Sequence, residues 1–301
     1  MKVVFFGIYK IGVDCLTALR TRGIDVRMVV TKPSTAEDRQ PVSELARNWG
    51  LPLLEPATPG NPTFLTALRG VSPDIILVGG YHKIFPKALL EIPPRGAVNL
   101  HLSLLPRYRG PAPWKWTIAN GETTTGITVI QLEEMIDTGP ILGQWTERVR
   151  DDDTGASLFE RLCVLGAERL ADVAVSLRDG GLTPRPQDEN DATYQRAPTE
   201  EDARIDWRRS AHEIRNLVRG FFPRPGAWTT YQGIPLTVRK ASVHEGTACA
   251  KPGTILDLAD RLLITTGKGL LAIDEIADRC QRAGEPFRLQ PGTSFDHDGT
   301  E

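Results

Sequence analysis

Over the first two thirds of the chain, short unbroken apolar runs alternate with segments whose apolar residues recur at helical spacing. Lys2 to Phe6 is such a run, closed by Gly7, and predicts a strand buried on both faces. Val13, Leu16 and Leu19 then mark a helix. Asp25 to Val30 predicts a second strand, Val42 to Trp49 a second helix, and Asp74 to Val78 a third strand running into Gly79 and Gly80. Ala97 to Leu100 and Gly126 to Leu132 predict two more strands. Ser157 to Asp179 is the longest helical stretch, with Leu158, Leu162, Leu165, Leu170 and Val173 as its apolar stripe. This alternation predicts an α/β domain built on an open, mostly parallel, Rossmann-like sheet. Ligands of such sheets bind beyond the carboxyl ends of the strands, where the strand order reverses.

The texture changes after Asp179. Thr183 to Thr193 is polar, contains Pro184 and Pro186, and reads as a linker. A short helix near Ser210 to Gly220 follows. Then come brief strand-like runs at Ala227 to Tyr231, Leu236 to Val243, Gly253 to Asp257, Leu262 to Thr266 and Leu270 to Ile276. Short strands punctuated by glycine predict a small C-terminal β-barrel of the oligonucleotide-binding (OB-like) type. The expected division is an N-terminal domain at 1–182, a linker at 183–203, a barrel domain at 204–292 and a flexible tail at 293–301.

Composition changes little in this picture. The 301 residues are 40 % hydrophobic and 25 % charged, with a formal net charge of −2, so no global charge steers the chain toward nucleic acid or an anionic membrane. Cys15, Cys163, Cys249 and Cys280 are far apart, which argues against a disulfide framework or a zinc ribbon and for free thiols. No signal peptide precedes the first strand and no apolar stretch is long enough to span a bilayer, so a cytoplasmic location is expected. Gly7 to Gly12 lacks the glycine spacing of a dinucleotide site, which disfavours a nicotinamide-dependent oxidoreductase.

The chemistry-bearing stretch is Asn99-Leu-His-Leu-Ser-Leu-Leu-Pro-Arg-Tyr-Arg-Gly-Pro-Ala-Pro-Trp, followed later by Asp137-Thr-Gly. Asn99 and His101 lie two apart at a strand end, so their side chains share a face. Asp137 follows a later strand and can approach the same edge, where a carboxylate favours the cationic imidazole and suits proton transfer near neutral pH. Spacing alone favours a plainer reading: a hydrogen-bonded histidine, a strand-end cap and a turn-forming aspartate.

The combined pattern resembles the 10-formyltetrahydrofolate-dependent formyltransferases. That family includes methionyl-tRNA formyltransferases, sugar-nucleotide formyltransferases and the hydrolase domain of formyltetrahydrofolate dehydrogenase. The resemblance extends to Gly79-Gly-Tyr-His-Lys-Ile-Phe-Pro-Lys, to Ala203-Arg-Ile-Asp-Trp, to Phe222-Pro-Arg-Pro and to Lys251-Pro-Gly-Thr-Ile. It implies the formyltransferase fold and 10-formyltetrahydrofolate as formyl donor, with no metal. It also implies a catalytic set of Asn99, His101 and Asp137: Asn99 donating to the developing oxyanion, His101 stabilising it or moving protons, and Asp137 orienting His101. Tyr81, Ile84, Phe85, Pro86 and Ile136 are the expected cofactor-binding residues. Ser103, Arg107, Tyr108 and Arg109 are expected beside the acceptor, a structural role for the arginines being equally open. Trp114 and Trp116 read as core or rim aromatics.

The acceptor is a separate question. The loop Thr31 to Pro41 is short and nearly neutral, whereas that of methionyl-tRNA formyltransferases is longer and basic, and a tRNA binder needs cations along the phosphate path. Leu102 also stands where a small residue is common, which is expected to reshape the acceptor pocket. Both departures point to a small-molecule amine, an amino-sugar nucleotide or an amino acid. Arg215, Arg219, Arg224, Arg239 and Lys240 keep initiator tRNA as the alternative. A formyltetrahydrofolate hydrolase and a non-catalytic nucleic-acid-binding module are the further alternatives.

Overall fold

Five short parallel strands, β1 (Lys2–Gly7), β2 (Asp25–Val30), β3 (Leu53–Leu54), β4 (Ile75–Gly79) and β5 (Ala97–His101), form most of one sheet. Two longer antiparallel strands, β6 (Thr124–Gln131) and β7 (Ile141–Arg148), complete it. The order is β3-β2-β1-β4-β5-β6-β7, so the strand order reverses between β1 and β4, which run parallel. The computed structural model describes residues 1–35, 38, 40–247, 249–257, 261–279 and 288–296. Strand β4 is buried throughout and β1 after its first residue, as continuous apolar runs require. The helices of this part are α1 (Tyr9–Thr21), α2 (Pro41–Asn48), α3 (Pro62–Val71) and α4 (Lys87–Leu90). In α3, Pro62 occupies the first turn and the Asn61 side chain accepts from the Phe64 amide, a cap that satisfies one free donor of the helix start. Its Phe64, Leu65 and Leu68 pack with Phe6, Val30, Val78 and Phe85 in the core.

The chain divides into two compact units, one of 1–113, 124–148 and 159–195, the other of 114–123, 149–158 and 196–301. Helices α5 (Pro113–Ala119), α6 (Gly155–Asp179) and α7 (Ala211–Gly220) follow in chain order. The first half of the expected linker therefore belongs to the first unit. Arg185 and Ile141 exchange two backbone hydrogen bonds of 2.8 and 2.7 Å, and the Arg109 amide donates to Thr193 O at 2.8 Å. Residues 183–195 are a strap laid along this unit. Their polar side chains, which read as linker, serve as partners for backbone and buried groups.

The second unit carries β8 (Trp228–Tyr231), β9 (Ile234–His244), β10 (Ile255–Asp257), β11 (Leu262–Thr265) and β12 (Leu270–Asp278), an antiparallel half-barrel in the order β10-β11-β12-β9-β8. Helix α7 opens with a full capping box between Ser210 and Glu213 and buries Ile214, Leu217 and Val218. Residues 292–296 are integrated rather than loose, contrary to the expected tail. They bond β10 through Ile255 and reach Thr230 of β8 through Asp296, linking the two edge strands of the half-barrel. Phe295 stacks on Trp207 with ring centroids 5.1 Å apart, and its burial explains why the segment holds. Residues 297–301 lie outside the described residues, as does Cys280. Cys15 and Cys163 are buried, which pushes both thiols up, and Cys249 is exposed. Among the described residues no helix is long and apolar enough to cross a membrane.

Candidate active site

Strand β5 lies between β4 and β6, with Asn99 opposite Val78 and Ile130 and His101 opposite Thr128. The period-2 geometry puts Asn99 and His101 on one face at the carboxyl end of the parallel strands. His101 is almost fully buried. Its Nε2 lies 2.9 Å from Tyr108 O, and a carbonyl only accepts, so Nε2 carries the proton. Nδ1 then faces Asp137 Oδ2 at 3.5 Å. The same carboxylate oxygen accepts the Gly110 amide at 2.8 Å. A proton taken up at Nδ1 therefore arrives between the ring and a carboxylate that is already fixed in place. The Asn99 side chain is half-buried and makes no hydrogen bond among the described residues, which leaves its amide free to donate to a ligand. Among those residues no cluster of His, Cys, Asp or Glu has the arrangement to hold a metal.

The loop after β5 is organised by its own polar groups. Ser103 Oγ, fully buried, donates to Arg107 O at 2.7 Å and approaches Tyr108 O at 3.3 Å. Tyr108 has φ 60°, and its amide donates to Thr193 Oγ1 at 2.8 Å. Gly110 has φ 100°, and a Cβ there would lie 2.1 Å from Gln195 O, so only glycine fits. Of the four residues expected beside the acceptor, Arg107 alone is exposed, its guanidinium over the Tyr108 ring at 5.5 Å. Ser103 and Tyr108 hold the loop and the His101 tautomer. Arg109 is fully buried and turned into the protein's own strap, so the geometry favours the structural reading for it. Leu102 is buried at 4 % exposure, which places it in the packed interior rather than on an acceptor surface.

The expected cofactor residues divide in two. Tyr81 packs edge-on against Phe6 and Phe85 lies tilted against it, at 5.3 and 4.8 Å between centroids, as part of the core. The Tyr81 hydroxyl is buried without a hydrogen-bond partner, and burial pushes its phenol up to about 12. Pro86 caps the start of α4. Ile84 and Ile136 stand exposed, as does Met135. The sequence reading missed Gln187, Thr193 and Tyr194, all placed in a linker. No sequence signal distinguishes Arg109 from Arg107 two residues earlier; the partners follow only from its burial, since a buried guanidinium requires them. Trp116 packs against Phe221 at 5.2 Å and donates to Arg196 O, within the second unit.

Comparison with known proteins bears on the whole chain. The pattern of the formyl transferase family matches residues 1–174, and that of the formyl transferase C-terminal domain matches residues 198–285. A methionyl-tRNA formyltransferase of Geobacter metallireducens is 38 % identical over 310 aligned positions, covering 99 % of both chains. One from Caldanaerobacter subterraneus is 39 % identical, covering 94 % of each. Among solved structures, an N-formyltransferase from Helicobacter canadensis, in complex with folinic acid and dTDP-3-aminofucose, superposes with a TM-score of 0.70 at 15 % identity, covering 91 % of this chain and 98 % of that one. HypX from Aquifex aeolicus in complex with tetrahydrofolic acid does so with a TM-score of 0.63 at 20 % identity, covering 92 % and 44 %. These two likenesses concern the fold alone. The relatives and both matched patterns place the chain, an enzyme of formyl transfer, in the formyl transferase family.

Proposed function

We propose that the protein transfers the formyl group of 10-formyltetrahydrofolate to the amino group of methionine carried on initiator tRNA, with Asn99, His101 and Asp137 as the catalytic set. The observation that carries this acceptor is end-to-end identity of 38 and 39 % with proteins named methionyl-tRNA formyltransferase, across both units. It reverses the preference for a small amine drawn from the loop and from Leu102. The donor supplies a formyl carbon open to attack by an amine. The Asn99 amide is placed to donate to the oxygen on which negative charge develops, an interaction worth a few kcal/mol when preorganised. His101 Nδ1 takes the proton released from the attacking amine, Asp137 stabilises the resulting imidazolium at 3.5 Å, and that proton passes to N10 of the donor as the formyl C–N10 bond breaks and tetrahydrofolate leaves. Because Nε2 is committed to Tyr108 O, the ring presents a single basic nitrogen.

One feature supports a small-amine acceptor as the second reading. Lys32, at the start of the short loop, pairs with Asp38 and lies over the Tyr9 ring, which draws its charge away from any phosphate. In the second unit Arg215 pairs with Asp151 and Arg239 with Glu275. Arg224, at a cavity of about 600 Å³, and Lys240 have no ion-pair partner among the described residues and are the cations proposed to meet phosphate. The test is release of tetrahydrofolate from 10-formyltetrahydrofolate with and without charged methionyl initiator tRNA. Release that depends on the charged tRNA, with no formate formed, is expected. Equal release without any amine, with formate as product, points to a hydrolase and refutes the proposal.

A further inference from the structure

We propose that Gln187 and Arg109 form a positioning unit that holds the Asp137 turn in its reactive geometry, so that the strap at 183–195 sets the rate of proton transfer at His101. This rests on the catalytic reading of Asp137 given above.

Asp137 has φ 55°, in the left-handed region that a non-glycine residue occupies only when its surroundings enforce it. Two sets of contacts do so. On the side-chain side, the Gly110 amide holds Oδ2 at 2.8 Å. On the backbone side, Gln187 Nε2 donates to Asp137 O at 2.8 Å and to Gly139 O at 2.7 Å, closing the turn from behind. Gly139 itself has no room for a Cβ, which would sit 1.7 Å from Gln131 O, so the turn has one seat.

Gln187 is in turn fixed by Arg109. Its Oε1 accepts from Arg109 Nε at 3.2 Å and from a terminal nitrogen at 2.8 Å. The remaining Arg109 donors go to both carboxylate oxygens of Glu189, at 2.9 and 2.6 Å, and to the Tyr194 hydroxyl at 2.6 Å. All the guanidinium N–H groups are thus spent inside the strap, and none remains for a substrate. The Arg109 backbone is clasped as well, by Thr193 O and the Gln195 amide, and the next residue supplies the amide that holds Asp137. Both grips on Asp137 therefore hang from one buried arginine. A loss at Gln187 frees the backbone of the turn while leaving the loop that follows His101 clasped.

Gln187→Glu isolates the donor half. It keeps an oxygen for Arg109, now charged, and removes both N–H bonds to the Asp137 turn. Gln187→Ala removes both halves. Misplacement of a catalytic group by about 1 Å costs on the order of 100-fold, so kcat is expected to fall about 10- to 100-fold in both, with KM for donor and acceptor nearly unchanged. Gln187→Glu sets a carboxylate oxygen against the two carbonyls that the amide held, so some loss of melting temperature is expected, and a purely stabilising role predicts normal kcat for the folded variant well below that temperature. Glu189→Gln, which touches only the exposed end of Arg109, provides a variant sure to fold and is expected to lower kcat by a few fold without moving KM. Normal kcat in all three variants while Asp137→Asn loses about 100-fold or more overturns the proposal. A kcat within a few fold of wild type in Asp137→Asn overturns the catalytic reading beneath it instead.

Discussion

Asp137→Asn subtracts charge from the site with the least change in shape. The asparagine oxygen replaces Oδ2 as acceptor for the Gly110 amide, so the 2.8 Å bond that seats the side chain survives. What disappears is the attraction between the carboxylate and the imidazolium that forms when Nδ1 takes a proton. At the observed 3.5 Å and an effective dielectric of about 20, that attraction is about 5 kcal/mol. Solvent reaching the partly open carboxylate reduces it. Acid–base catalysis typically contributes 10²- to 10⁴-fold, or about 3–5 kcal/mol, which agrees with this figure. The expected result is a kcat lower by about 10²–10⁴ with donor and acceptor binding preserved, because the lost interaction exists only as the proton moves. Single-turnover formyl transfer at saturating donor and acceptor reads this directly. A kcat within a few fold of wild type refutes the role of Asp137 and the pairing argument with it.

Asn99→Ala is expected to lower kcat by about 10²–10³, the loss of one oxyanion donor, with folate affinity measured by titration unchanged. Tyr81→Phe removes a buried hydroxyl that has no partner and is expected to leave the melting temperature equal or higher. The wild-type phenol titrates near 10 unfolded and about 12 folded, so the protonated group stabilises the fold below pH 10, and that contribution is lost as pH rises from 10 through 12. Thermal melts across that window are therefore expected to fall more steeply for wild type than for Tyr81→Phe. Phe295→Ala removes the ring stacked on Trp207 and is expected to cost about 3–5 kcal/mol in denaturant unfolding of the full chain. Arg224→Ala combined with Lys240→Ala is expected to weaken tRNA binding and to lower the salt dependence by about one unit of log–log slope per lost phosphate contact, read by titration at several salt concentrations.

The parts of the fold legible in the sequence are those whose burial is uniform. Strands β1 and β4 are apolar runs because both faces are covered, and the long stripe of α6 names its own buried side. Strand β7 was not legible, since Gln144, Glu147 and Arg148 interrupt its apolar positions and its pairing with β6 supplies what the pattern lacks. Strand β3 is too short to carry a period. The catalytic face was legible because Asn99 and His101 lie on one strand, where alternation fixes their common side. The partnership with Asp137 rested on resemblance, as it is made through a left-handed turn that spacing does not reveal. The strap shows the limit most clearly. A polar, proline-containing segment has the composition of a linker whether it is solvated or bonded, and only the burial of Arg109 separates the two. Phe295 marks the same limit at the other end, a single aromatic that anchors an otherwise polar tail.

The acceptor decides what the enzyme is for. The most direct measurement is a competition in one tube: 10-formyltetrahydrofolate with charged methionyl initiator tRNA, free amino acids and amino-sugar nucleotides, with the products resolved by mass spectrometry. Formylation of the methionyl group on tRNA, with the small amines unchanged, is the predicted result. A formylated amino sugar or amino acid beside untouched methionyl-tRNA contradicts it and returns the argument to the short loop at Thr31 to Pro41.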